Sequence, residues 1–427
     1  MIKKKILLIA YNFPPLISPQ SLRWFYLVRE LSSLGYDIDV LTVKMPERFK
    51  DLLESLPDKI AVHRSFPGPF YYLTFKFSIE SSNIMRTESP DKTNSIWRVF
   101  SGIHFKFYRA LYYFLFPDIY AEWFPFAILE GSRLIRKNRY DVVISSSEPR
   151  VCHLIGYFLK RLTGIPWIAD YGDPWIYPIP TLRESGFKKR LLEKSESIIL
   201  KRVDMISVAA EGIKRLYVER YPFIDIEKIR IIPQGFDPDI FSGIEGEKSD
   251  KFRIAYCGSF YRGLRDPMAF FEAIENIGID DIEVVIAGRI NEFADILRKR
   301  FNKGIIQYRG FIGHKESMSL QKGATVLLHI GNATDVQVPG KIYEYFGAKR
   351  PILCIRGGNI DTADDLIERY NKGITVANNK EDISIGIMKL YELWQKNMLN
   401  NSFDLESVDE FTWRKRAEEM SRIIEEL

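Results

Sequence analysis

No stretch of about 18 or more consecutive apolar residues occurs in this chain, so no helix crossing a bilayer is expected. The opening Met-Ile-Lys-Lys-Lys-Ile-Leu-Leu-Ile-Ala-Tyr sets basic residues before an apolar run, as a signal peptide does. That run is only about six residues and reads better as a buried first strand. Cysteine is scarce. Cys152, Cys257 and Cys354 are odd in number, scattered and set in apparent core segments, which argues for a reducing compartment and against a disulfide framework. The 5 histidines show no spacing, to cysteine or to one another, that would hold a structural zinc. Charge of one sign is not in great excess either. A net +5 permits contact with anionic substrates or anionic lipid and is too small to argue for nucleic acid.

What is present is an alternation of short apolar runs and longer helical patterns. Strands are expected at 6–10, 37–42, 141–145, 166–169, 205–208 and 229–232, with helices between them, for example 21–34 and 151–162. A second series begins at 252–257 and continues through 282–287, 305–309, 325–330 and 351–355. Such alternation implies parallel sheets with crossover helices, and a chain of 427 residues is long enough for two domains. The turn-rich Ile232-Pro233-Gln234-Gly235-Phe236-Asp237-Pro238 marks the boundary. Neither series opens with a Gly-x-Gly-x-x-Gly turn, so a nicotinamide dehydrogenase fits poorly. One region, about 65–126, breaks the pattern with Phe70-Tyr71-Tyr72, Phe105-Lys106-Phe107-Tyr108-Arg109 and Tyr112-Tyr113-Phe114. It reads as an aromatic-rich helical insertion on the N-terminal domain, and its interleaved basic residues also suit the headgroup layer of a membrane.

The most informative stretch runs from Pro339 to Leu353. Pro339 suits the first position of a helix on which Ile342, Tyr345 and Phe346 share one face, and Pro351 opens the following strand. Helix N-terminal amides attract phosphate, and a carboxylate one turn deeper, Glu344, suits two neighbouring hydroxyls. A diphosphate beside a ribose diol satisfies both. Strand ends are where such sheets bind ligands, which draws attention to Gly258 and Ser259, to Ser146 and Glu148 in Ser145-Ser146-Ser147-Glu148, and to Asp170 and Asp173.

Taken in order along the chain, these features resemble the retaining glycosyltransferases of family 4, with the GT-B fold. The similarity is carried by Ile6-Leu7-Leu8-Ile9-Ala10-Tyr11-Asn12-Phe13-Pro14-Pro15, by Trp167-Ile168-Ala169-Asp170-Tyr171-Gly172-Asp173-Pro174-Trp175, by Ile232-Pro233-Gln234-Gly235-Phe236-Asp237 and by the Glu344 helix. The resemblance implies two Rossmann-like doubly wound domains facing across a cleft. Residues 1–235 would bind the acceptor, 236–407 the nucleotide sugar, and 408–427 would form a helix crossing back to the first domain. Its relatives act in surface polysaccharide biosynthesis. The implied activity is transfer of a sugar, with retention, from a nucleotide sugar to a hydroxyl of a glycan or lipid-linked acceptor. The implied place is the cytoplasm, with peripheral contact at the inner face of an anionic membrane.

In the family a basic residue eight positions before a helical Ala neutralises the donor diphosphate, and counting back from Ala273 gives Arg265, with Arg262 as a second candidate. Donor binding is therefore assigned to Gly258, Ser259, Arg262, Arg265, Gly340, Lys341 and Glu344. Acceptor binding is assigned to Ser18, Ser146, Glu148, His153 and Asp170, and catalysis to Arg265 and Asp173. No cofactor is implied beyond the donor itself. Metal is expected to be dispensable, because Arg265 and helix amides face the leaving diphosphate and no Asp-x-Asp pair adjoins the donor motifs. Two departures stand out. The family's Glu-x7-Glu pattern places its first acid at 336, where this chain has Val336 beside Asp335, and the first strand-to-helix turn lacks paired glycines. Two alternatives share the architecture, a sugar-nucleotide epimerase and a non-catalytic scaffold.

Overall fold

The computed structural model describes residues 4–16, 18–45, 56–57, 59–70, 115–176, 186–300, 304–334, 336–358, 362–406 and 408–427. Asp335 and most of the aromatic segment, 71–114, lie outside the described residues. The chain divides into two compact units. One comprises Met1–Ala209, Lys214–Ile232 and Ala417–Leu427, the other Ala210–Ile213 and Pro233–Arg416.

The first unit holds a parallel sheet of seven strands: β1 (Lys5–Ile9), β2 (Asp37–Val43), β3 (Ile60–Ser65), β4 (Val142–Ser147), β5 (Trp167–Tyr171), β6 (Met205–Val208) and β7 (Ile229–Ile231). Their order across the sheet is β3-β2-β1-β4-β5-β6-β7. The chain thus starts centrally, winds to one edge, returns and winds to the other. With right-handed crossovers this puts helix Pro19–Ser33 on one face and helices 124–137, 151–163 and 186–202 on the opposite one. Strands β1, β4, β5 and β6 are buried almost throughout, which is why they read as continuous apolar runs. The last helix, Trp413–Glu425, ends against this unit. Tyr36 donates to Glu425 at 2.6 Å and lies 2.7 Å from Ser421 Oγ, Lys4 reaches Ile424 O at 2.8 Å, and Arg230 pairs with Glu426 at 3.1 Å.

The second unit holds six parallel strands, β8 (Phe252–Cys257), β9 (Ile282–Ala287), β10 (Ile306–Gly310), β11 (Val326–Ile330), β12 (Ile352–Ile355) and β13 (Gly373–Val376). Their order, β10-β9-β8-β11-β12-β13, is that of a dinucleotide-type doubly wound sheet, with its reversal point between β8 and β11. Apolar clusters cover both faces. Beside the end of β8, just after β9, one glycine is required. Gly288 sits at φ +132°, and a Cβ there would lie 1.8 Å from Gly258 O. Backbone thus approaches backbone closely on this side of β8.

The expected strands are present, with boundaries shifted by at most two residues. Two edge strands, β3 and β13, were not anticipated. The Glu344 helix begins at Lys341 with Gly340 as its cap, so Pro339 is not its first residue; Pro339 O instead accepts from Ile342 N at 3.1 Å. Among the described residues no helix is long and apolar enough to cross a membrane.

Candidate functional site

In the second unit the chemistry gathers at the carboxyl ends of β8 and β11. Arg265 lies in the loop after β8. Its guanidinium donates to Asn332 Oδ1 through Nε (3.2 Å) and Nη2 (2.7 Å) and to Ser259 O through Nη1 (3.4 Å). All these acceptors are neutral oxygens, so among the described residues no carboxylate compensates its charge. The neighbouring Asp266 is occupied elsewhere, accepting from Met268 N at 3.0 Å at the start of a helix. His329, buried on β11, is lowered to about 3 by burial and then by Arg265, and so stays neutral. An uncompensated, half-buried guanidinium beside bare backbone is an anion site in waiting.

On the next loop, the helix Lys341–Ala348 presents Glu344 in its first turn. Lys341 Nζ lies 2.6 Å from Glu344 Oε2, Gln321 Nε2 donates to the same oxygen at 3.1 Å, and His314 Nε2 stands 3.7 Å from Oε1. Burial would raise this carboxyl, but Lys341 and His314 outweigh it and hold Glu344 well below the usual range. Conversely, burial would depress Lys341, and the carboxylate keeps it charged, with its pKa raised. The pair presents a fixed charge at a helix N-terminus, with Oε1 the less occupied oxygen. Gln321 Oε1 is buried without a hydrogen-bond partner.

Gly258 and Ser259 line this edge through backbone, and Gly340 caps the Glu344 helix. Arg262 is placed differently from the expectation. Its guanidinium lies 5.9 Å from the Phe293 ring centroid, while its backbone N–H donates to Glu292 at 2.5 Å. The structure thus does not bring it to Arg265's acceptors, because the turn at Gly263 (φ +74°) separates the two side chains.

In the first unit the predicted acceptor residues fall on opposite faces of the sheet, as alternation along β4 dictates. Ser146 Oγ accepts from Gln20 Nε2 at 2.6 Å, on the side of helix Pro19–Ser33. Asp170 on that side is saturated. It accepts from Arg23 Nε (3.2 Å) and Nη2 (2.9 Å), Trp24 Nε1 (3.0 Å), Ser207 Oγ (2.7 Å) and Gln20 Nε2 (3.2 Å). A carboxylate has about four lone-pair sites, so Asp170 is a buried anchor for Arg23 and not an acceptor contact. Ser18 is also corrected: it is the N-cap of helix Pro19–Ser33, its Oγ accepting from Ser21 N at 3.1 Å. Ser18→Ala should therefore lower stability by about 1 kcal/mol and leave any acceptor KM unchanged, as thermal melts with steady-state kinetics would show.

The other face, toward helix Val151–Thr163, is less satisfied. His153 Nδ1 pairs with Ser145 Oγ at 2.7 Å, which also accepts from Trp167 Nε1 at 2.8 Å. Burial lowers His153 to about 3, so it is a neutral imidazole without direct access to solvent. Its ring lies 4.3 Å from that of Tyr171 and 6.1 Å from that of Trp175. His153 Nε2, Tyr171 Oη, Trp175 Nε1, Ser147 Oγ and Asp173 Oδ1 are all shut from solvent without a hydrogen-bond partner. Buried polar atoms are normally paired, so this group at the ends of β4 and β5 marks a place where water or a polar ligand belongs. Burial pushes Asp173 up to about 6, within the range useful to a base. Glu148 is half-buried, 3.6 Å from Arg150 Nε, and its carbonyl accepts from Asn12 at 2.8 Å.

Sequence reasoning missed His314, Gln321 and Asn332. Asn332 stands just past a strand end and was legible from that position; His314 and Gln321 reach Glu344 only through packing of their helix on its own. Among the described residues no group of three or more His, Cys, Asp or Glu is placed to hold a metal ion. A groove of about 680 Å3 lined by Lys248, Lys322, Arg350 and Trp394 opens at the opposite, amino edge of the second sheet and holds none of these groups.

A family model described as a glycosyl transferase 4-like domain matches residues 21–235. No curated protein sequence matches the chain. Among solved structures, sucrose-phosphate synthase from Thermosynechococcus elongatus is similar at 14% identity and a TM-score of 0.69, covering 99% of both chains. WaaG, a glycosyltransferase involved in lipopolysaccharide biosynthesis, is similar at 13% identity and a TM-score of 0.56, covering 98% of this chain and 95% of its own. A putative UDP-N-acetylglucosamine 2-epimerase from Listeria monocytogenes is similar at 13% identity and a TM-score of 0.54, covering 99% and 96%. The fold is thus the GT-B arrangement, shared by glycosyltransferases and nucleotide-sugar epimerases.

Proposed function

Since this chain belongs to the glycosyl transferase 4-like family, we propose that it transfers a sugar from a nucleotide sugar to a hydroxyl of a glycan or lipid-linked acceptor, with retention, in the building of a surface polysaccharide. The observation that carries the donor half is the juxtaposition of an uncompensated Arg265 with the partly buried Lys341–Glu344 pair on adjoining strand ends of one sheet. A diphosphate needs cations and amides, and its ribose needs an acceptor of two hydrogen bonds; these residues supply both. As the glycosidic bond breaks, negative charge grows on the leaving phosphate, and Arg265 stabilises it with the amides of the Lys341 helix. In this reading no metal is required for that step.

The acceptor half is assigned to the ends of β4 and β5. Asp173 takes the proton of the attacking hydroxyl, and the orphaned His153 Nε2, Tyr171 Oη and Ser147 Oγ order the polar groups or waters around it. Attack on the same face that the phosphate leaves accounts for retention without a protein nucleophile.

Arg265→Ala should lower kcat by about tenfold to a hundredfold and the affinity for donor by less, because the charge it meets is greatest in the transition state. Equal losses in both would make it a plain binding residue. The likeness to an epimerase keeps that second reading in play. Incubating the protein with each nucleotide sugar alone and analysing products separates the two: an epimerised donor identifies the epimerase, whereas release of nucleotide only with a glycan acceptor supports transfer.

A further inference from the structure

Independently of the transfer reaction, one face of the first unit has the chemistry of a lipid-binding surface. Helix 124–137 packs on helix 151–163, which in turn packs on helix 186–202, all on one side of the sheet. Ring contacts tie the first two together, with Phe124 and Phe158 centroids 5.2 Å apart. Each helix buries one face and turns large apolar side chains to solvent on the other. Leu129 is 69% exposed, Leu162 65% and Phe187 80%, and Phe158, Leu191 and Ile198 accompany them. On helix 186–202 the exposed Phe187, Leu191 and Ile198 fall at the spacing of a single helical face. Isolated exposed apolar residues are ordinary, but three adjoining helices that share them are not.

Charge identifies the occupant. These helices carry eleven Lys and Arg against three Glu, whereas the whole chain is only +5. One of those acids, Glu196, is buried and committed to Tyr217 Oη at 2.8 Å and Tyr221 Oη at 2.5 Å. Glu130 is taken by a fork from Arg133. Exposed cations, among them Arg136, Arg161, Arg190 and Lys194, therefore surround the apolar side chains. An apolar partner alone would not call for this charge, and a nucleic acid would not call for the leucines and phenylalanines. Rings and aliphatic chains that enter the acyl boundary while cations meet phosphate headgroups account for both.

We infer that the face formed by helices 124–137, 151–163 and 186–202 docks on an anionic lipid surface. Apart from residues 124–126, it lies outside the aromatic segment for which the sequence suggested lipid contact. Docking there would hold a soluble enzyme unit against the bilayer that carries a lipid-linked substrate, without any spanning helix.

The test is co-sedimentation of the full chain with vesicles, read without donor or turnover. Binding is expected to phosphatidylcholine vesicles containing about 30% phosphatidylglycerol at low salt, with release as salt rises, and not to pure phosphatidylcholine. The triple variant Leu129→Glu, Leu162→Glu, Phe187→Glu should weaken binding at least about tenfold while melting like the parent, since all three side chains are exposed. Arg190→Glu with Lys194→Glu should weaken it separately and flatten the salt dependence. Absence of binding at low salt, equal binding to neutral vesicles, or full binding by the triple variant would each overturn the inference. A dimer in sedimentation velocity that the triple variant dissolves, with no vesicle binding, would assign the face to a second copy instead.

Discussion

Glu344→Ala is expected to reduce affinity for the nucleoside diphosphate by about a hundredfold or more. Each hydrogen bond to a charged group contributes about 1.5–3 kcal/mol, and about 1.4 kcal/mol is a factor of ten. Two ribose hydroxyls on one carboxylate therefore account for that loss. The substitution also strands Lys341, whose side chain is 33% exposed and can reach water, so the fold should survive. Glu344→Gln separates the two effects, keeping the shape and the Gln321 contact while removing the charge. The carboxyl is held below its ordinary range. Its contribution is thus fully present above the ordinary Glu pKa and is lost only as pH falls through the depressed value. Donor affinity dependent on it should be flat from pH 8 to about 5. Calorimetric titration of wild type and both variants with UDP, GDP, ADP and TDP checks this. Unchanged affinity in Glu344→Ala would remove the residue from the ribose, and no binding by wild type would bring the scaffold reading forward.

Asp173→Asn should lower turnover by about 10²–10⁴, the usual range for loss of a positioned base. Wild-type kcat/KM should rise with pH through about 6, and the variant's residual activity should lose that inflection. Stability moves the other way. Because burial raises the folded-state pKa, the stability linked to this carboxyl is fully present below the unfolded value. It is lost as pH rises through about 6. The neutral amide escapes that penalty, so Asp173→Asn should be more stable than wild type at pH 7–8 by roughly 3 kcal/mol, and equal to it at about pH 3. A variant that is both inactive and stabilised would mark Asp173 as a strained functional group. One that is inactive and destabilised would return it to the role of turn residue before Pro174.

How far the sequence reached is best seen at particular strands. β8 and β9 were read with their observed bounds because buried parallel strands appear as uninterrupted apolar runs. β3 and β13 were missed for the same reason in reverse. They are sheet edges, only partly buried, and their residues Ile60-Ala61-Val62-His63-Arg64-Ser65 and Gly373-Ile374-Thr375-Val376 lack such a run. Their strand state comes from pairing with β2 and β12. At the helix after β11, the sequence placed Glu344 about one turn inside; with the start at Lys341, two residues later than expected, it falls in the first turn.

The sequence by itself determined the two doubly wound sheets, the turn between them, and the candidacy of Arg265, Glu344 and Asp173. The sheets, the turn, Glu344 and Asp173 rest on local periodicity or on position at a strand end, both written in neighbouring residues, whereas Arg265 rests on the family resemblance, by counting back from Ala273. Only the tertiary structure decided which polar groups are already spent. Asp170 in β5 and Asp173 just beyond it stand three residues apart, yet one faces Arg23 and the other is left without a partner at Oδ1. That distinction depends on helices distant in sequence, as does the capture of Glu344 by Gln321 and His314. Burial and pairing set a carboxylate's charge and chemistry, and both are properties of what the fold brings alongside it.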